Sequence, residues 1–168
     1  MKKFALAAVA LVFGLAVVST MVLAQANPRG EATCADGKVT IDYGRPSAKG
    51  RDVMSMISPG SYWRMGADTA TTLKTDVDLV FGDTTVPKGS YTLVAHFVEK
   101  EKWNLVVAKK VGQGNVPEEV AAEVPGKLVK GEENVEQLTI DLKPDGDKAT
   151  FVLSWTSYRM SVDFKVGS

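Results

Sequence analysis

A chain of 168 residues with 20 Lys plus Arg against 20 Asp plus Glu has no net charge, and it holds a single cysteine and a single histidine. That balance excludes nucleic-acid binding through a basic field. The lone Cys34 excludes an intrachain disulfide, and His96 with Cys34 supplies too few ligands for a zinc site, so no metal or other cofactor is expected.

The first 26 residues read as a secretory signal peptide. Lys2 and Lys3 give a positive start, an apolar run extends from Phe4 to Leu23, and Ala24-Gln25-Ala26 closes it with a small-x-small pattern. A run of that length can span a bilayer, so an uncleaved anchor is the alternative. The polar Asn27-Pro28-Arg29-Gly30 that follows favours cleavage after Ala26 and a periplasmic or extracellular protein with no membrane attachment. Taking 26 from 168 leaves 142 residues, enough for one core. Losing Lys2 and Lys3 leaves 18 cations against 20 anions, a net −2. Residues 27–37 read as an N-terminal extension and 38–168 as one domain. Cys34 lies too far beyond the apolar run for a lipoprotein. It reads as a small packed residue, or, in an oxidising compartment, as a thiol that could link to a disulfide partner.

Strands follow in close succession. Val39 to Tyr43 is the first, then Thr69 to Thr75 and Val77 to Phe81 ahead of a Gly82-Asp83 turn. Pro87-Lys88-Gly89 turns the chain into a strand from Ser90 to Val98, and Glu99-Lys100-Glu101 turns it into another from Trp103 to Ala108. Asn115 with Glu118 fits a capping box and predicts one short helix near 116–123, stopped by Pro125-Gly126. Leu138, Ile140 and Leu142 then alternate with polar residues up to the turn at Pro144-Asp145-Gly146-Asp147. Ala149, Phe151, Leu153 and Trp155 form one apolar set, and Tyr158, Met160, Val162, Phe164 and Val166 another. Thr156-Ser157 between them predicts a hairpin, hence a C-terminal antiparallel meander. The fold class is all-β, an antiparallel β-sandwich of jelly-roll-like character.

Few residues carry recognisable chemistry. His96 sits mid-strand and reads as packed; no Gly-x-Ser-x-Gly elbow accompanies it. Gly112-Gln113-Gly114 lacks the Gly-Lys-Ser/Thr of a phosphate loop, and Asp145-Gly146-Asp147 and Asp76-Val77-Asp78 lack the rest of a calcium loop. Acidic pairs for glycan hydrolysis stay open, since their spacing in space is not written in the sequence. The segment from Gly44 to Thr72 stands apart. It sets Arg45, Lys49, Arg51 and Arg64 beside the adjacent aromatics Tyr62 and Trp63 and the acid Asp68. Guanidinium forks bind anions bidentately, and an aromatic face can stack a sugar ring or a guanidinium. The alternative is internal: Arg64 or Arg51 pairs with Asp68 or Asp52, and Trp63 fills core.

Arg45-Pro46-Ser47, Lys49-Gly50-Arg51 and Trp63-Arg64-x-Gly66-Ala67, with Pro87-x-Gly89-x-Tyr91 and Trp103 further on, resemble the signature of domain-of-unknown-function family 2911 over roughly Lys38 to Val166. The resemblance implies a secreted bacterial β-protein and no particular activity. Asp68-Thr69 stands where that family usually has Asn-Glu, and Met54-Ser55 where it has Phe-Gly. The functional expectation is a non-catalytic binding domain for a small anionic or sugar-like envelope ligand, at Arg45, Lys49, Arg51, Tyr62, Trp63, Arg64 and Asp68. A structural or interaction protein of the envelope without a small ligand is the first alternative. A glycan hydrolase using acidic residues is the second.

Overall fold

The computed structural model describes residues 26–167 and builds them into eleven strands, every pairing antiparallel. The signal-peptide reading falls on residues 1–26, all but the last of which lie outside the described residues. One sheet has seven strands. Its path runs from β1 (Arg29–Cys34) through β2 (Val39–Gly44), β4 (Thr71–Thr75), β7 (Gly89–Glu99) and β8 (Lys102–Val111) to β9 (Pro117–Pro125), with the two-residue β3 (Tyr62–Trp63) beside β4 on the same flank of β7. The other sheet has four strands: β10 (Lys127–Asp145), β11 (Lys148–Val166), β5 (Leu79–Phe81) and β6 (Thr84–Val86).

Alternation makes the core. Ile41, Leu73, Leu93 and Leu105 from the first sheet meet Leu79, Leu142, Phe151 and Phe164 from the second, all buried in one cluster. Burying a side chain of this size contributes about 1.5–3 kcal/mol each. The expected sandwich is therefore present, with three differences from the expectation.

The segment expected as a helix near 116–123 is strand β9, paired with β8. Asn115, the expected cap, has φ +62, whereas a helix cap is extended. Lys109 and Lys110 of β8 reach across to Glu119 and Glu118, so Glu118, the acid that suggested a capping box, serves a cross-strand pair. The open edge of β8 also offers a ladder of backbone bonds, interrupted by register shifts from Val107 to Val111, which outweighs the weak helix preference of a short segment.

Thr156-Ser157 is no hairpin turn. Lys148 to Val166 is a single strand of 19 residues, and the reversal comes earlier, between Asp145 and Lys148, with Gly146 at φ +62. Thr156 instead has φ +50 within a stretch where the β10 register shifts. The left-handed residue interrupts the alternation of β11, so the apolar set is odd-numbered up to Trp155 and even-numbered from Tyr158, while the extra residues of the shifted register lie on β10.

Residues 29–34 of the expected extension form β1, an edge strand whose Ala32 and Cys34 are in the core. The chain after β2 then crosses between sheets. Leu138 N–H donates to Pro46 carbonyl (3.0 Å) and Ala48 N–H to Glu136 carbonyl (2.8 Å), so residues 46–48 lie along β10 and close one corner of the sandwich. Tyr43 ties the same corner from inside, its hydroxyl donating to the Ile140 carbonyl at 3.1 Å.

Candidate functional site

An aromatic cavity of about 210 Å³ opens where β3, β7, β8 and β11 meet the short 3₁₀ turn Val53–Met56. β3 lies on the flank of β7, pairing Trp63 with Ala95 and turning the indole toward β11. Trp63 stacks on Trp155 with centroids 5.6 Å apart and planes 14° apart, and on Phe97 at 6.3 Å. Trp103 meets Phe97 edge-on at 4.9 Å. The left-handed backbone at Thr156 (φ +50) breaks the alternation and brings Trp155 and Tyr158 to the same cavity, which strict alternation over an odd spacing would forbid. Met56, 62% exposed, stands at the rim.

The two inward tryptophans of this wall differ in one respect. Trp103 Nε1–H donates to the Lys100 carbonyl at 3.0 Å. Trp155 Nε1 is buried and has no partner. A buried donor without an acceptor costs about 1–3 kcal/mol, and an indole N–H that is buried ordinarily finds one.

Val53 and Tyr158 also line a polar groove of about 490 Å³, so the two depressions adjoin. Arg51, Lys100 and Lys130 supply its cations; Asp52, Glu101 and Glu136 supply its acids. Lys130 Nζ lies 5.8 Å from the centre of the Tyr158 ring. Arg51 is aimed by two carbonyls, Ala48 at 2.9 Å and Ser47 at 2.8 Å, and remains exposed. Two of the acids are engaged with backbone: Asp52 accepts from Met54 N–H at 3.0 Å, Glu136 from Lys49 N–H at 2.8 Å. Lys49 itself is exposed, on a left-handed backbone (φ +51) beside Gly50.

The remaining expected site residues face elsewhere. Arg45 donates from Nε to the Leu138 carbonyl and from Nη2 to Thr139 Oγ1, both at 3.2 Å, bracing the corner against β10. Arg64 donates to the backbone carbonyl of Asp68 at 2.9 Å rather than to its carboxylate. The Asp68 carboxylate accepts from the backbone N–H of Asn27 at 2.9 Å. Ala67 packs so closely on Gly44 that a Cβ there would run into its carbonyl oxygen. The structure thus groups Arg51 and Trp63 around the cleft, sets Tyr62 at its rim with its ring turned to His96, leaves Lys49 at its edge, and turns Arg45, Arg64 and Asp68 into ties of the backbone.

Sequence reasoning missed Phe97, Trp103, Trp155 and Tyr158 as cleft residues. The parity switch across Thr156-Ser157 was the available signal. His96 faces the opposite side of the first sheet, stacked on Tyr62 at 4.4 Å. Its Nδ1–H donates to Glu123 at 2.6 Å, because an ionised carboxylate can only accept, and Asn104 Nδ2 donates to the same oxygen at 2.8 Å. Partial burial pushes the Glu123 carboxyl up, but the bonds and charge from His96 and the bond from Asn104 outweigh it and leave the group below its ordinary value. Cys34, 6% exposed, has its thiol pushed up by burial, so a disulfide partner would reach it only by lifting β1.

Among the described residues, no group of three or more His, Cys, Asp or Glu side chains is placed to hold a metal ion, and no helix is long and apolar enough to cross a membrane. No curated protein and no solved structure matches the chain. A family model does, over residues 27–164, from the start of β1 almost to the end of β11. That span takes in both sheets, the corner and the cleft, and by it the chain belongs to the family described as protein of unknown function DUF2911.

Proposed function

We propose that this is an exported, non-catalytic binding domain, and that the aromatic cavity with its adjoining polar groove takes a small ligand having a flat face and an anionic or hydroxyl-rich part. An envelope sugar or a comparable anionic component fits that description. The observation that carries the reading is the Trp155 N–H, buried without an acceptor in the wall of an aromatic cavity. A largely apolar pocket with a few convergent polar groups is the ordinary form of a small-molecule site. The Trp155 N–H is closed off in this structure, so a ligand oxygen would satisfy the indole on a small shift of the wall; the faces of Trp63 and Tyr158 would take the flat part, and Arg51 with Lys130 would meet negative charge. Export is supported by the Lys2-Lys3 start, the apolar run and Ala24-Gln25-Ala26.

Tryptophan emission reports the cavity directly. Titration with glycan fragments and small carboxylates, phosphates and sulfates is expected to shift the emission for at least one class. Trp155→Phe is then expected to weaken that ligand about tenfold, the worth of one hydrogen bond. If no class shifts the emission, the binding reading falls. A second reading, an interaction protein without a small ligand, is favoured for the Arg45–Arg64–Asp68 half alone, where every polar contact named above is internal.

A further inference from the structure

We infer that the loop at Asp68 is a seat for the α-ammonium group that forms when the leader is removed between Ala26 and Asn27. This rests on the export reading above. In the intact chain Asn27 N is a neutral amide, yet it already lies 2.9 Å from Asp68 Oδ2, and the Asn27 side-chain amide lies 3.3 and 3.4 Å from the two carboxylate oxygens. Hydrolysis adds water across the Ala26–Asn27 peptide bond. The C–N bond breaks, Ala26 leaves as a carboxylate, and the nitrogen of Asn27 takes up the protons to become an ammonium. The hydrolytic agent is a membrane-bound endopeptidase whose subsites accept the small side chains of Ala24 and Ala26. A neutral donor is thereby replaced by a cation with three donors at the same place, facing a carboxylate.

The seat is built independently of the terminus. Asp68 holds a left-handed backbone (φ +65), and Arg64 donates to its carbonyl at 2.9 Å. Arg29 donates to Thr69 Oγ1 at 2.6 Å and pairs with Asp42. Arg45 N–H donates to the Pro28 carbonyl at 2.7 Å, which fixes the chain immediately after Asn27. Asp68 is the only acid among these groups aimed at Asn27; Arg64 and Arg29 are turned to other partners. Maturation therefore adds an ion pair at the entry to edge strand β1 that the precursor lacks. An opposite charge at this distance favours the protonated amine, and the pair is exposed, so salt screens it.

Intact mass of the exported protein is expected to start at Asn27. Its α-amine is then labelled with an amine-reactive reagent over the neutral to mildly alkaline range, where such groups titrate. The wild-type amine is expected to react several-fold more slowly near neutrality than that of Asp68→Asn, with the gap closing at high salt. Asn tolerates the left-handed backbone, so this variant keeps the loop. The salt response of the wild type alone gives a second measure: its labelling rate rises with salt if the pair exists. Equal, salt-independent rates on a protein that starts at Asn27 overturn the seat and leave export standing. A different first residue or a retained leader overturns both.

Discussion

The segment from Gly44 to Asp68 divides into two halves of similar composition and opposite fate. Arg45, Arg64 and Asp68 spend their polar atoms on backbone: a β10 carbonyl, a loop carbonyl and the Asn27 amide. Tyr62 and Trp63 line a cavity in whose wall one indole donor stays unmatched, and Arg51 lines the groove beside it. An arginine in a charged, aromatic-rich segment thus says little by itself. What matters is where the acceptor lies: Arg45 reaches a β10 carbonyl 93 residues away and braces the corner, whereas Arg51 donates only to the carbonyls of Ser47 and Ala48 beside it and still faces solvent.

The sharpest way to break the comparison is at the corner. Gly44→Ala would push a Cβ into the Ala67 backbone, which has no side chain to rotate away. Overpacking of this kind is expected to cost about 3 kcal/mol or more, read as a lower denaturant midpoint at unchanged slope. A loss under about 1 kcal/mol would mean that the corner yields. Arg45→Met keeps the aliphatic stem and removes two hydrogen bonds to β10, so about 1–2 kcal/mol is expected. The same change at exposed Arg51 removes two bonds to carbonyls three and four residues away and is expected to cost less, under about 1 kcal/mol. Equal losses at the two positions would erase the distinction between the halves.

On the open side, Trp155→Phe removes a donor that has no acceptor. Stability is expected to change by less than about 1 kcal/mol, since no hydrogen bond is lost, while ligand affinity falls. A large destabilisation would show that the indole nitrogen is satisfied after all. The smallest effect concerns Glu123. Its pKa is lower in the folded state, so its stabilising contribution is present above the ordinary carboxylate value and is lost as pH falls through the lowered one. Glu123→Gln is expected to flatten the acid limb of stability against pH and to lower stability slightly in the neutral region, where the ionised carboxylate contributes. A steeper acid limb in the variant would reverse the sign.

Much of the sandwich was legible because burial on one face writes a period of two into the sequence. Met160, Val162 and Phe164 announce their strand, as do Phe151 and Leu153. The break between these runs was legible too, but a bulge and a hairpin leave the same local mark. Only the pairing of Thr156 with Val135 tells them apart. Asn115 and Glu118 misled for a related reason: the partner that makes 117–125 a strand is β8, and capping patterns do not see partners. The candidate site was half legible. Tyr62-Trp63 stands out as a pair, whereas Trp155 joins Trp63 across a separation in sequence that no local pattern records.

The corner where residues 46–48 lie along β10 also orders events in time. Arg45 meets Leu138 across a separation of 93 residues. Contacts that distant form slowly, because the loop must close before its ends reward the closure. On a chain made N-terminus first, β1 and β2 emerge early and wait, their core-facing side uncovered, until the C-terminal hairpin arrives. The same clasp that makes the finished domain whole therefore leaves its first-made strands the most open to aggregation during assembly.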